Sequence, residues 1–251
     1  MSTTVTNRRP VRPTAESAQR YWETKAVAYD CLHDRLREML RVIAERRPAS
    51  VFDVGCSTGE VARGVTALLP HIRYFGCDIS QAAVAKLGRP NVVRCDLNAD
   101  GVPFAGERFD CIVASGICEY VVDQRKFLGE LAERLTSGGA LLVSYVNVDH
   151  IARRWRRWLG KRPRDNHTWQ ALVPLRQFES WLAEAGLNIT ARIPTHGRIA
   201  RTNRLADRLY PTRLLCKLAP GLISLVAPQV IYVAESSASS VTKSCATHSG
   251  S

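Results

Sequence analysis

"VFDVGCSTGE", residues 51–60, sets a short apolar run against a bend of small residues. Val51, Phe52 and Val54 are strand formers, and Gly55 and Gly59 mark a tight turn after them. Asp53 stands inside the apolar run, just before that turn. The spacing excludes two familiar nucleotide loops. A dinucleotide turn reads Gly-x-Gly-x-x-Gly and a phosphate loop reads Gly-x-x-x-x-Gly-Lys-Ser/Thr, whereas here the glycines lie four apart and no lysine follows. A carboxylate at Asp53 would repel a pyrophosphate and suits a group such as an ammonium or sulfonium.

Strands and helices alternate outward from this turn. "EVARGVTALL" predicts a helix that ends at Pro70, and "RYFGCD" predicts the next strand. Ser80 can cap the helix "QAAVAKL". "NVVRCD" and "FDCIVAS" follow as strands, then a helix over 124–135 and, after an "SGG" turn, the strand "ALLVSYVN". Before them, Leu32, Leu36, Leu40 and Ile43 recur at helical spacing in a pattern running from Ser17 to Arg47, which Pro48 closes. Such alternation with short loops predicts a doubly wound, mostly parallel α/β sheet. Ligands on such sheets sit beyond the carboxyl ends of the strands. Three acids, Asp53, Asp78 and Asp96, fall at three successive strand ends. Any one of them can simply cap a turn, but three in register behind a glycine bend point to a binding rim.

After Asn147 the rhythm changes. Residues 148–170 are basic and aromatic, with Trp155 and Trp158 on one helical face. "PLRQFESWLAEA" predicts a helix that Gly186 ends, and "LNITARI" and "QVIYVAE" a closing pair of strands. Residues 195–228 between them are too long for a hairpin and read as an insertion with an amphipathic helix around "RLADRLY" and "RLLCKLA". Residues 1–16 read as a disordered arm, 17–235 as one domain and 236–251 as a Ser/Thr-rich disordered tail.

The formal charge is +12, unevenly spread. Residues 51–146 carry 9 Lys and Arg against 11 Asp and Glu, whereas residues 147–217 carry 15 against 5. An arginine-rich composition explains part of this, and an acidic or anionic partner explains its concentration in one segment. The eight cysteines show no Cys-x-x-Cys spacing and no histidine cluster, so neither a disulfide framework nor a metal site is expected. No run reaches the roughly 18–20 apolar residues of a membrane span, and "MSTTVTNRRPVRPT" has no signal-like apolar stretch. The expected compartment is the cytoplasm, with peripheral contact at the inner membrane face as an extension of it.

The glycine bend is similar to the nucleotide-binding turn of class I S-adenosylmethionine-dependent methyltransferases, and the other signposts of that family follow in order. "FGCDIS" resembles the second strand, "VVRCDL" the third, "FDCIVASGICEYVVD" the fourth with its loop, "LTSGGALLVSYVN" the approach to the fifth and "WLAEAGL" the late helix. The resemblance covers about residues 20–235. It implies a seven-stranded Rossmann-like sheet with an N-terminal helical lid, and S-adenosyl-L-methionine as cofactor. It further implies that Asp78 grips the ribose hydroxyls with Ile79 beside the adenine, and that Asp96 accepts from the adenine amino group with Leu97 against the ring. Asp53, Gly55, Cys56, Ser57, Gly59, Ser115 and Tyr29 complete the implied cofactor set. Tyr21, Trp22 and Tyr29 in "RYWETKAVAYD" resemble the family's lid, or pack that helix on the core. Two departures stand out. Ser57 replaces the middle glycine of the turn, and Tyr120 stands where a histidine is common.

The sulfonium already activates the methyl group, so alignment of a nucleophile is the main task. A hydroxyl acceptor gains from a base, for which His150 and His167 are the candidates, while Glu119 is a candidate to orient cofactor or acceptor. Each has a structural alternative as a surface, hydrogen-bonded or solvated group. The basic segment supports an anionic small-molecule acceptor, a lipid-linked acceptor reached by peripheral membrane contact through 153–164 and 205–226, or RNA. No RNA-binding module or Asn/Asp-Pro-Pro-Tyr motif is evident. Segment 160–187 resembles methyltransferases of the methionine- and quinone-biosynthesis types, so a small-molecule or lipid-linked acceptor methylated at oxygen leads. The alternatives are RNA methylation and a non-catalytic binding role.

Overall fold

A strand with apolar side chains on both of its faces needs both faces covered. Strand β1, Ser50–Val54, is buried along its whole length. The computed structural model describes residues 19–23, 33–160, 172–195 and 219–236. Within them, β1 lies near the middle of a seven-stranded sheet. The others are β2, Arg73–Asp78, β3, Val92–Arg94, β4, Phe109–Ala114, β5, Leu135–Val146, β6, Leu187–Thr195, and β7, Gln229–Ser236. Their order across the sheet is β3-β2-β1-β4-β5-β7-β6, and only β7 runs against its neighbours. The strand order reverses between β1 and β4, the place where such sheets open a crevice.

Phe52 and Val54 face one layer, with Phe109, Ile112 and Leu141. Val51 faces the other, with Cys111, Val113 and Leu142. The second layer is covered by α1, Asp34–Arg46, and α2, Glu60–Leu68; α3, Gln81–Leu87, follows β2. Helix α1 buries Leu36, Met39, Leu40, Val42 and Ile43, the periodic stripe expected from the sequence. On the other face lie α4, Gln124–Glu133, and α6, Leu175–Glu184, with Phe178 stacked on Tyr145 at 3.9 Å between ring centres. Helix α5, Ile151–Trp158, follows β5, and a short α7, Ile223–Val226, precedes β7. At the amino ends of the strands Asp110 accepts from Ala49 N, Ser50 N and Ser50 Oγ at 3.0–3.1 Å and from Thr136 Oγ1 at 3.0 Å. That one carboxylate ties the starts of β1, β4 and β5 together.

The predicted strands and helices of residues 50–133 appear within two residues of their expected bounds. Three expectations change. The helical pattern of residues 17–47 is not one helix, because His33 is extended (φ −71°, ψ 150°) and α1 starts at Asp34. The "SGG" turn lies inside β5 as a bulge: Phe109 pairs with Leu135 and Cys111 with Ala140, so the intervening residues loop out of register. The C-terminal boundary moves by one, because Ser236 belongs to β7 and donates to Thr136 O at 2.8 Å. The arm, the tail beyond Ser236, residues 161–171 and, up to residue 218, the helix expected around "RLADRLY" and "RLLCKLA" lie outside the described residues.

Gly59 opens α2 with φ +86°, and a Cβ there would collide with Leu87 Cδ1. Leu87 can rotate away, but a left-handed alanine stays strained. Gly59→Ala should therefore lower stability by about 1–3 kcal/mol, read as a lower urea midpoint with an unchanged slope.

Candidate functional site

The turn after β1 is held by β2. Gly55 N and Cys56 N both donate to Cys77 O, at 2.8 and 2.9 Å, so the chain bends across the tip of the neighbouring strand. Gly55 takes φ +75°, and Ser57 follows with φ +48°. The sequence left open whether Ser57 could avoid the left-handed region, and it does not. A non-glycine residue there costs roughly 1 kcal/mol or more, and a charge-assisted bond offsets it: Ser57 N donates to Asp78 Oδ2 at 2.8 Å. Asp78 Oδ1 accepts from Ser80 N at 2.9 Å, so this carboxylate joins the turn to the start of α3.

Above this rim lies a cavity of about 420 Å³, within the range that holds nucleoside-sized ligands. Asp53, Gly55, Cys56, Ser57 and Asp78 line it at the switch point. Ile79, Asp96 and Leu97 line it where β2 and β3 end, and Ser115 and Glu119 where β4 ends. The structure thus brings together ten of the expected residues. Gly59 does not line the cavity, and serves instead the close packing of α2 on Leu87. His150 also lies outside the lining; its carbonyl accepts from Arg153 N and Arg154 N at the start of α5. Tyr29 and His167 fall outside the described residues.

Each acid has its own setting. Asp53 is 2% exposed and accepts from Tyr74 Oη at 2.7 Å. Burial pushes its carboxyl up to about 7, against the Tyr74 hydrogen bond, and the nearby Glu60 and Asp78 charges add to the rise. Burial also raises Asp78, opposed by the N–H groups of Ser80 and Ser57. Asp96 Oδ1 accepts from Asn98 N at 3.0 Å. Asn98 then bridges to the loop after β4, donating to Tyr120 O at 3.0 Å and accepting from Val122 N at 2.8 Å. That bridge fixes the short helical turn Cys118–Tyr120, which carries Glu119. Glu119 is 3% exposed, and its Oε2 has no hydrogen-bond partner. Burial raises its carboxyl, with Arg35 and Arg153 pulling the other way.

A helical turn at residues 19–23 covers the β2 side. Glu23 accepts from Gln81 N at 2.7 Å, Ala82 N at 3.1 Å and Ser80 Oγ at 3.1 Å, which seats the segment on the start of α3. Burial opposes ionisation of Glu23, yet those N–H bonds hold its carboxyl below the usual range. The anchor brings Tyr21 and Trp22 into the cavity wall, with Trp22 edge-on to Tyr120 at 5.1 Å. Of the expected lid residues, these two are thereby placed over the site.

Sequence reasoning missed Arg35 and Arg153, which bring positive charge to the lining. Arg35 Nε donates to Ser115 Oγ at 3.0 Å, 80 residues away. No spacing rule connects them, and with 35 Lys and Arg in the chain neither arginine stands out by type. The donor set suits the ligand implied by the resemblance. Carboxylates can accept from ribose hydroxyls, an amino group and an ammonium, and among the described residues no lysine lines the cavity to bind a pyrophosphate. Among the described residues no cluster of His, Cys, Asp and Glu is placed to hold a metal ion, and no helix is long and apolar enough to cross a membrane.

Comparison with known proteins follows the same lines. A family model described as "Methyltransferase domain" matches residues 21–192. The chain is 29% identical over 119 residues to trans-aconitate 2-methyltransferase of Deinococcus radiodurans, covering 47% of this chain and 46% of that protein. It is 28% identical over 156 residues to the ubiquinone biosynthesis O-methyltransferase of Rhizobium johnstonii, covering 57% of this chain and 61% of that protein. The matches thus span less than two thirds of these relatives. Among solved structures, the N-methyltransferase NodS from Bradyrhizobium japonicum WM9, in complex with S-adenosyl-l-homocysteine, shares the fold with a TM-score of 0.53 at 16% identity, over 87% of this chain and 97% of that one.

Asp53 supplies a pH test. Its folded pKa is raised, so between about pH 4 and 7 the unfolded chain sheds a proton that the fold retains, and stability falls as pH rises through that window. Without ligand, the wild type should lose about 3 kcal/mol relative to Asp53→Asn between pH 5 and pH 8, measured by urea unfolding of both proteins at each pH.

Proposed function

The chain belongs to the methyltransferase-domain family of class I, S-adenosylmethionine-dependent methyltransferases, and on that premise we propose that it transfers a methyl group to oxygen of a small-molecule acceptor. The observation that carries this reading is the row of Asp53, Asp78 and Asp96 around one cavity, behind a backbone bent at Gly55 and Ser57. When bound, S-adenosylmethionine supplies a methyl group already activated by its sulfonium.

The chain's own residues bind and align. Asp78 keeps lone pairs for the ribose hydroxyls after accepting from the turn. Ile79 and Leu97 line the cavity as apolar walls for an adenine, from whose amino group the Asp96 carboxylate would accept. The small residues 55–57 admit the amino-acid end, where Asp53 can face the ammonium and Arg35, fixed by Ser115, the carboxylate. Tyr21, Trp22 and Tyr120 keep water from the reacting atoms. Alignment of this kind supplies roughly 7–11 kcal/mol towards the barrier. Transfer to oxygen is favoured by Glu119, whose open Oε2 can accept from a hydroxyl and whose carboxyl, raised by burial, is a stronger base than a solvated one. The O-methyltransferase relatives support the same choice of atom.

A lipid-linked acceptor is the second reading. It rests on an exposed apolar face where Trp155 is 62% and Trp158 81% exposed, beside Ile151 and Leu159. Incubating the full chain with methyl-labelled S-adenosylmethionine and a lysate of its source, then analysing water- and solvent-soluble fractions by mass spectrometry, separates the two. Label on oxygen of a water-soluble product is expected. A solvent-soluble product would favour the lipid reading, and no labelled product together with no calorimetric binding of S-adenosylmethionine would end both.

A further inference from the structure

The two arginines of the cavity are held differently. Arg35 is fixed by Ser115, and its guanidinium lies against Gly116, where a Cβ would come within 2.9 Å of Nη2. Arg153 extends from α5 and is half-buried. Among the described residues its guanidinium has no hydrogen-bond or ion-pair partner, while its backbone N–H donates to His150 O. Burial lowers its pKa, and the Glu119 charge opposes that shift. Glu119 is itself buried with Oε2 unpartnered. A buried carboxylate oxygen and a partly desolvated guanidinium are both costly to leave unmade. Together they form a receptor with two different faces: a planar fork of N–H donors that matches a carboxylate, and a lone pair that takes a hydroxyl.

We propose that Arg153 and Glu119 form the acceptor subsite, and that the acceptor is a small hydroxy acid whose carboxylate docks on Arg153 while its hydroxyl donates to Glu119 Oε2. This rests on the methyl-transfer reading and names the substrate class for it. With Arg35 committed to Ser115, Arg153 is, among the described residues that line the cavity, the arginine left for the acceptor. Val146, Pro228 and Gln229 line the same cavity, supplied by β5 and the approach to β7, and can wall the acid's carbon skeleton.

The test uses the full chain saturated with S-adenosylhomocysteine and titrated calorimetrically with 3,4-dihydroxybenzoate, 4-hydroxybenzoate, malate and citrate, each beside its neutral amide and its hydroxyl-free parent acid. At least one acid should bind about tenfold or more tighter than its amide, the scale of one charge-assisted contact. Arg153→Gln should abolish that preference and Arg153→Lys retain part of it. Glu119→Met should abolish the gain that the hydroxyl gives over the parent acid. In all three variants the affinity for S-adenosylhomocysteine should stay within about twofold. The proposal is overturned if no acid outbinds its amide while the homocysteine compound still binds. It is equally overturned if Arg153→Gln weakens that compound and spares the acid preference. Failure of the wild type to bind S-adenosylhomocysteine would instead bring down the methyltransferase reading beneath it.

Discussion

A single hydrogen bond organises the active rim: Ser57 N–H to the Asp78 carboxylate, 2.8 Å long, from a residue whose backbone is left-handed. Without it the bend after β1 would carry a strained serine with its N–H turned into a cavity. With it the bend is pinned to the tip of β2, and the same carboxylate presents its remaining lone pairs outward. One acid therefore shapes the turn and faces whatever the turn admits. The double donation of Gly55 N and Cys56 N to Cys77 O fixes the same crossing from the backbone side. The burial of Asp53 is a cost that a cationic group beside it would offset.

Charge divides the cavity. Carboxylates occupy the tips of β1, β2 and β3, and arginines enter from α1 and α5 beyond β4 and β5. The chain segments that bring them are tied down by polar bonds at their ends. Glu23 seats the first helical turn on α3. Asn98 bridges the loops after β3 and β4. Asn147, buried at the end of β5, donates to Ser224 O and Ala227 O at 2.7 and 2.8 Å and accepts from Asp149 N. These links place Glu119 and Arg153 around one opening although they come from different parts of the chain.

The sheet and its acid rim were legible because their signals are local. Strand periodicity, a glycine bend and an acid at a strand end each fit within ten residues, and their order carried the family resemblance. The bulge at residues 137–139 was missed because glycines also mark turns, and only pairing with β4 distinguishes the two. Helix α1 starts later than its apolar stripe suggested because His33 is extended, a tertiary effect that periodicity does not carry. Arg35 and Arg153 were invisible for a different reason. A cation lining a cavity is recognised by what it faces, and Ser115, Gly116 and Glu119 are distant in sequence from the residues they meet. His150 was conspicuous by residue type, yet it is the carbonyl of His150 that structures the start of α5.

The central claim, that the Asp78 carboxylate holds both the bend and a ribose, is tested most directly by a thermodynamic cycle. Calorimetry would compare S-adenosylhomocysteine with its 2′-deoxy analogue on the wild type and on Asp78→Asn. Losing the 2′-hydroxyl should weaken wild-type binding by about tenfold and weaken the variant far less. Equal losses in the two proteins, or no loss in the wild type, would contradict it.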